Sequence, residues 1–355
     1  MSNPYTLVFG QLPIEFVERS AQAERIVSEF CQDHPANYLN LITGVRGSGK
    51  TVFITQIAER MKQKDDWIIV NLNPQRDLLK SFAAKLDSDR KLNRLFREAE
   101  INLQAFGLGV EIKGAAPISD IEEALIRMLR SIKRSNKKVL ITIDEVTNSK
   151  DMRVFASSYQ IFLREKLPVF LLMTGLYKNI DSLRNADGMT FLERAPRTVL
   201  SPLDIDAIAA KYMETLGVDA ATANRIAGAT RGYAFAFQVI GYFLWENSSD
   251  MPRAMTLARE YLYEFAYYKI WTELSAKDKT VVQAIAKAPT GEVSEIRKKL
   301  DYSSNQFNPY RDRLLKAGII SCPTKGVAEI ALPWFGDFAL KNEADNNIER
   351  YRITV

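Results

Sequence analysis

The chain has 355 residues, 46% of them apolar and 26% charged, which is the profile of a folded chain of two to three domains and excludes disorder, collagen and coiled coil. Forty-eight Lys and Arg against 43 Asp and Glu leave a balance of +5, which permits contact with nucleic acid without requiring it. Two distant cysteines, Cys31 and Cys322, and a single histidine, His34, exclude a disulfide framework, a Cys-rich zinc site and Ser-His-Asp, Cys-His or HExxH chemistry. Apolar runs such as Val169–Met173 fall far short of the roughly 18–20 residues of a membrane span. The first residues carry no basic-then-apolar signal, so a reducing cytoplasm without membrane contact is expected.

Residues 5–35 precede the first strand and contain Phe16-Val17-Glu18-Arg19, with a helix expected from about Ser20. Tyr38–Thr43 reads as a buried strand, and Lys50–Lys62 has helical spacing at Phe53, Ile54, Ile57, Ala58 and Met61. Between them Gly44-Val45-Arg46-Gly47-Ser48-Gly49-Lys50-Thr51 spells G-x-x-x-x-G-K-T in a strand–loop–helix context, the pattern of a phosphate-binding loop. Glycines let the loop turn without Cβ clashes so that backbone N–H groups face inward, and the helix start adds partial positive charge. Lys50 is suited to the β- and γ-phosphates and the Thr51 hydroxyl to Mg²⁺.

Trp67–Leu72 is a second strand, Gln75–Ala99 a charged helix, and Ile101–Lys113, with Gly107 and Gly109, a β-hairpin. Asp120–Arg134 is helical and ends in Arg127, Arg130, Lys133, Arg134, Lys137 and Lys138. Cations favour a helix C-terminus; a patch for phosphate backbones is the sharper alternative. Lys138–Ile143 is a β-branched strand ending in Asp144-Glu145. A carboxylate at the end of a strand beside the loop's own strand can hold Mg²⁺, a role that falls to Asp144; Glu145 is then placed to polarise an attacking water.

With these two motifs the chain resembles AAA+-type P-loop ATPases, in the group of archaeal-type ATPases and origin-recognition initiators. The resemblance extends over nearly the whole chain. It implies an α/β P-loop NTPase domain with a parallel sheet and a β-hairpin insertion over residues 1–203. An all-α lid (204–270), a winged helix (271–340) and a tail (341–355) then follow. It also implies ATP or ADP with Mg²⁺, wrapped by Gly44–Thr51, with Phe16 and Val17 either lining the adenine pocket or simply packing. Val154–Lys166 is a helix and Pro168–Thr174 a strand, whose terminal Thr174 either caps it or, as the resemblance implies, senses the γ-phosphate. Before a short strand at Thr198–Leu200, Arg194 or Arg197 is either simply surface or, as the resemblance implies, an arginine finger given to a neighbouring subunit, with self-association on ATP binding.

Asp204–Leu216 and Gly217–Tyr268 read as helical. Within them Gly228-Ala-Thr-Arg231-Gly232-Tyr233-Ala234-Phe235 resembles the lid motif that presents an arginine to the nucleotide, here Arg231, though Ala234 stands where signalling members have proline. Tyr261, Phe265, Tyr268 and Trp271 recur at helical spacing, as a base-stacking surface or, on the simpler reading, a lid core. From Ser275 onward three helices and a two-stranded wing read as a winged helix-turn-helix. Its third helix offers Asn305, Gln306, Arg311, Arg313 and Lys316 to double-stranded DNA. Trp271–Leu340 holds ten basic and eight acidic residues, a thin surplus for a dedicated DNA binder. A nucleotide-driven DNA switch and a signalling NTPase whose winged helix docks a protein are the two functions in view.

Overall fold

The computed structural model describes residues 2–8, 13–108 and 118–342. Its sheet begins at β1 (Leu39–Thr43), buried at all five positions, and continues with β2 (Trp67–Leu72), β3 (Lys138–Ile143), β4 (Val169–Gly175) and β5 (Arg197–Val199). Every pairing is parallel and the order is β2-β3-β4-β1-β5. Full burial of β1 and β4 is what a parallel sheet covered by helices on both faces requires. The strand bearing Asp144 was expected beside the loop's own strand. It is one place removed, because β4 pairs with both β1 and β3.

The helices of this part are α1 (Ser20–Phe30), α2 (Lys50–Lys62), α3 (Leu78–Ser88), α4 (Arg90–Glu98), α5 (Ile121–Arg134), α6 (Lys150–Arg164), α7 (Tyr177–Arg184) and α8 (Thr190–Glu193). The single helix expected over Gln75–Ala99 is broken at Asp89. That residue is extended (φ −75°, ψ 118°), and its carboxylate accepts from Leu92 N, which starts a new helix. The hairpin expected over Ile101–Lys113 does not form in residues 101–108, where Gln104–Phe106 makes a 3₁₀ turn; residues 109–113 lie outside the described ones. Helix α6 starts four residues earlier than its apolar pattern because Ser149 caps it, accepting from Met152 N at 3.1 Å.

The chain forms two compact units. One comprises Ser20–Thr43 and Lys50–Val199; the other takes the N-terminal segment up to Arg19, Gly44–Gly49 and everything from Leu200. The second unit contains α9 (Ile205–Leu216), α10 (Ala220–Thr230), α11 (Ala234–Glu246) and α12 (Met251–Leu262). A π-helical turn, Tyr263–Tyr267, then leads into α13 (Tyr268–Thr272). The stretch expected to be helical from Gly217 is therefore punctuated, with Gly217 and Arg231 in the left-handed conformation closing α9 and α10.

Helices α14 (Ala276–Ala286), α15 (Val293–Leu300) and α16 (Ser304–Lys316) precede the antiparallel pair β6 (Ile320–Ser321) and β7 (Glu329–Ile330), the order of a winged helix. Gly291, just before α15, has φ 68° and accepts from Ala328 N, and Glu292 makes an isolated bridge to Val327 beside the wing. Residues 335–342 form a further helix, whose Phe335 and Phe338 pack with Tyr267 and Trp271 in one continuous core. Among the described residues no helix is long and apolar enough to cross a membrane.

Candidate functional site

The chain leaves β1 at Thr43 and enters α2 at Lys50. The six residues between them turn tightly, Ser48 N donating to Val45 O at 3.1 Å. Gly47 (φ 74°) and Gly49 (φ 87°) hold left-handed backbone that other residues resist. A Cβ on Gly44 would lie 2.4 Å from Ser48 Oγ, and one on Gly47 2.4 Å from the Tyr233 hydroxyl. Ser48 Oγ is buried and has no hydrogen-bond partner among the described residues. Polar groups of this kind, left over in a glycine-lined turn at a helix start, fit a phosphate ligand.

At the ends of β3 and β4 the carboxylate of Asp144 is held from two sides. Thr51 Oγ1 donates to Oδ2 at 2.6 Å, and Thr174 Oγ1 donates to Oδ1. The Glu145 backbone is left-handed (φ 56°), and its N–H lies 3.0 Å from Asp144 Oδ1 and 3.2 Å from Thr174 Oγ1. Val146 N donates to Thr174 O at 2.8 Å. One fully buried threonine thus pins three successive residues, and the Glu145 side chain is exposed. The pair Thr51 and Asp144 supplies hard oxygen donors of the kind that suit Mg²⁺. No group of three or more metal-binding side chains occurs among the described residues. The Thr174 hydroxyl was expected to sense the γ-phosphate, but its only proton goes to Asp144.

Residues 16–165 match a family described as an ATPase domain predominantly from Archaea, and residues 265–339 a domain of unknown function, DUF8462. In fold the chain resembles the Walker-type ATPase PABY2304 of Pyrococcus abyssi, at 15% identity and a TM-score of 0.64, with 91% of this chain and 96% of that one covered. It is similar also to the Aeropyrum pernix ORC2 protein, solved in ADPNP–ADP complexes, at 14% identity and a TM-score of 0.58, with 98% of each chain covered. The fold is therefore that of the archaeal-type AAA+ ATPase and initiator-like group. Comparison with the curated proteins gives no match.

The remaining predicted residues of the ATPase fall elsewhere. Arg194, at the end of α8, and Arg197, at the start of β5, are exposed, the latter over the Tyr177 ring at 5.6 Å. Phe16 is half-buried, and Val17 belongs to the core of the helical unit. Arg231 was expected to face the nucleotide; its guanidinium instead donates to Ile330 O in β7, which spends it on the wing. In the basic end of α5, Arg127 pairs with Glu123, Arg130 with Glu165, and Lys133 donates to Lys166 O. Those three cations brace the fold.

On α16, Asn305 and Lys316 are exposed. Gln306 closes a capping box with Ser303. Arg311 pairs with its neighbour Asp312 at 2.8 Å. Arg313 grips Asp278, which is buried at 4% exposure and itself caps α14. Gln306 and Arg313, expected to read DNA, therefore hold the winged helix together. Arg19, Tyr233 and Phe235 also bond to the glycine-rich loop. All three lie in the motifs described above, but nothing local in the sequence indicates their target.

Proposed function

We propose that the chain is an ATP-hydrolysing switch that holds Mg²⁺ and uses its winged helix to contact DNA. The observation that carries the hydrolytic half is the Thr51–Asp144 hydrogen bond beside the head of α2. Thr51 and Asp144 would hold Mg²⁺, which when bound would supply positive charge against that of the phosphates. Lys50 neutralises the β- and γ-phosphates, Thr51 and Asp144 orient the metal, and N–H groups of the loop and first turn of α2 hold the phosphates. Glu145, exposed at the end of β3, accepts a proton from the attacking water. Arg194 and Arg197 are the side chains suited to reach the nucleotide of a neighbouring copy.

That the Aeropyrum pernix protein of similar fold was solved in ADPNP–ADP complexes supports a nucleotide ligand for this chain. DNA contact is supported by the winged-helix order and by Asn305, Arg311 and Lys316 on α16. A second reading, a winged helix that docks a protein, is favoured by Leu315, exposed at 40% on the same helix, and by the commitment of Arg313 to Asp278. Glu145→Gln tests the chemistry. ATP binding should persist while turnover falls by about 10²–10⁴-fold, the usual contribution of a general base. Turnover at the original rate assigns the base elsewhere.

A further inference from the structure

Three successive carbonyls of the glycine-rich loop accept hydrogen bonds from side chains or backbone far away in the sequence. Tyr233 Oη donates to Arg46 O at 2.7 Å. Phe235 N, in the first turn of α11, donates to Gly47 O at 3.0 Å. The Arg19 guanidinium donates to Ser48 O at 2.9 Å and, through Nε, to Ser201 O at 2.7 Å. All belong to the helical unit, as do Arg46 and Glu273, paired at 3.3 Å on the same loop.

In a trans peptide the carbonyl and the following N–H point in opposite directions, and no cis peptide bond occurs here. Fixing the carbonyls of Arg46 and Ser48 therefore turns the N–H groups of Gly47 and Gly49 away from Tyr233 and Arg19. The N–H of Ser48 is taken by Val45 O within the turn, so Gly47 and Gly49 supply the outward donors. The same contacts explain the glycine at 47, since a Cβ there would meet the Tyr233 hydroxyl at 2.4 Å and Phe235 Cβ at 2.9 Å.

We infer that Tyr233, Arg19 and the backbone N–H of Phe235 are positioning groups that pre-set the loop to present its N–H groups to a nucleotide phosphate. The inference rests on the ATP reading given above and adds residues to it. Tyr233 is buried at 5% exposure with its ring stacked toward Tyr267, so the hydroxyl is held in place by packing and loses little freedom in making its bond. Burial pushes the Arg19 guanidinium down to about 10, a cost that a residue serving only to fill space would not carry. Arg19 also lies against Gly49, 3.3 Å from the position a Cβ would take, adding positive charge at the turn.

The test is nucleotide affinity in the full chain carrying Tyr233→Phe, which keeps the buried ring and removes one donor. Isothermal titration with ADP and with ATP should give a dissociation constant raised about fivefold for both, the equivalent of one hydrogen bond. The KM for ATP should rise with it while kcat stays near the original. Arg19→Lys, which keeps the charge but loses the fork across two carbonyls, should act in the same direction, and it decides the matter if Tyr233→Phe does not fold. Folded variants that bind both nucleotides with the original constants overturn the inference. If the unaltered chain and Lys50→Ala both fail to bind nucleotide, the ATP reading fails first and this inference with it.

Discussion

Thr174 has one hydroxyl proton, and Asp144 takes it. Its oxygen then accepts from Glu145 N, which keeps the glutamate in a left-handed backbone that a β-strand end would not otherwise favour. A hydroxyl used in this way orients the metal carboxylate and is a poor reporter of the γ-phosphate. Thr174→Val should raise the Mg²⁺ concentration needed for half-maximal nucleotide binding by about tenfold, as losing a partner of a metal ligand does. Thr174→Ser should restore it, and ADP affinity without Mg²⁺ should be unchanged. A shift confined to the preference for ATP over ADP would return Thr174 to the phosphate. At this scale Lys50, Thr51, Asp144 and Glu145 are the residues that short contiguous motifs single out. Tyr233 is not among them: its bond to Arg46 spans 187 positions, and no local pattern encodes a contact of that range.

At the scale of elements, five strands were legible in the sequence and their parallel pairing only through the family resemblance, and the errors sit where a polar side chain overrides periodicity. Asp89 divides one charged helix into α3 and α4, and Ser149 starts α6 early. The order of the strands was not legible, since hydrophobicity does not say which strand β1 will neighbour, and β4 came between β1 and β3. The winged helix was recognised by its order of helices and wing, yet its polar residues were read as facing DNA when two of them hold the domain. Asp278 accepts from Ser275 and from Arg313 while nearly fully buried. Asp278→Ala should therefore lower stability by about 2 kcal/mol through loss of the cap and of a charge-assisted bond. Urea unfolding followed through the tryptophans measures it, and an unchanged midpoint would show that the pair contributes nothing.

For the whole molecule, one histidine and two distant cysteines leave little scope for histidine or cysteine chemistry. The balance of +5 remains compatible with DNA, but much of the charge that looked available is paired: Arg127, Arg130, Arg311 and Arg313 each hold a carboxylate. Net charge counts cations without saying which are already engaged, so a sequence overstates the free surface. A switch must let nucleotide change the state of its output domain, and here the glycine-rich loop proposed to meet the phosphates belongs to the same unit as the helices and wing of residues 276–330. The account is tested most directly by measuring DNA binding by the full chain with ATP, with ADP and without nucleotide, across a salt series. It predicts binding that depends on nucleotide, weakens steeply with salt, and is lost in Lys50→Ala and reduced by Arg311→Glu. Binding that is identical in all three states, or absent from all of them, would contradict it.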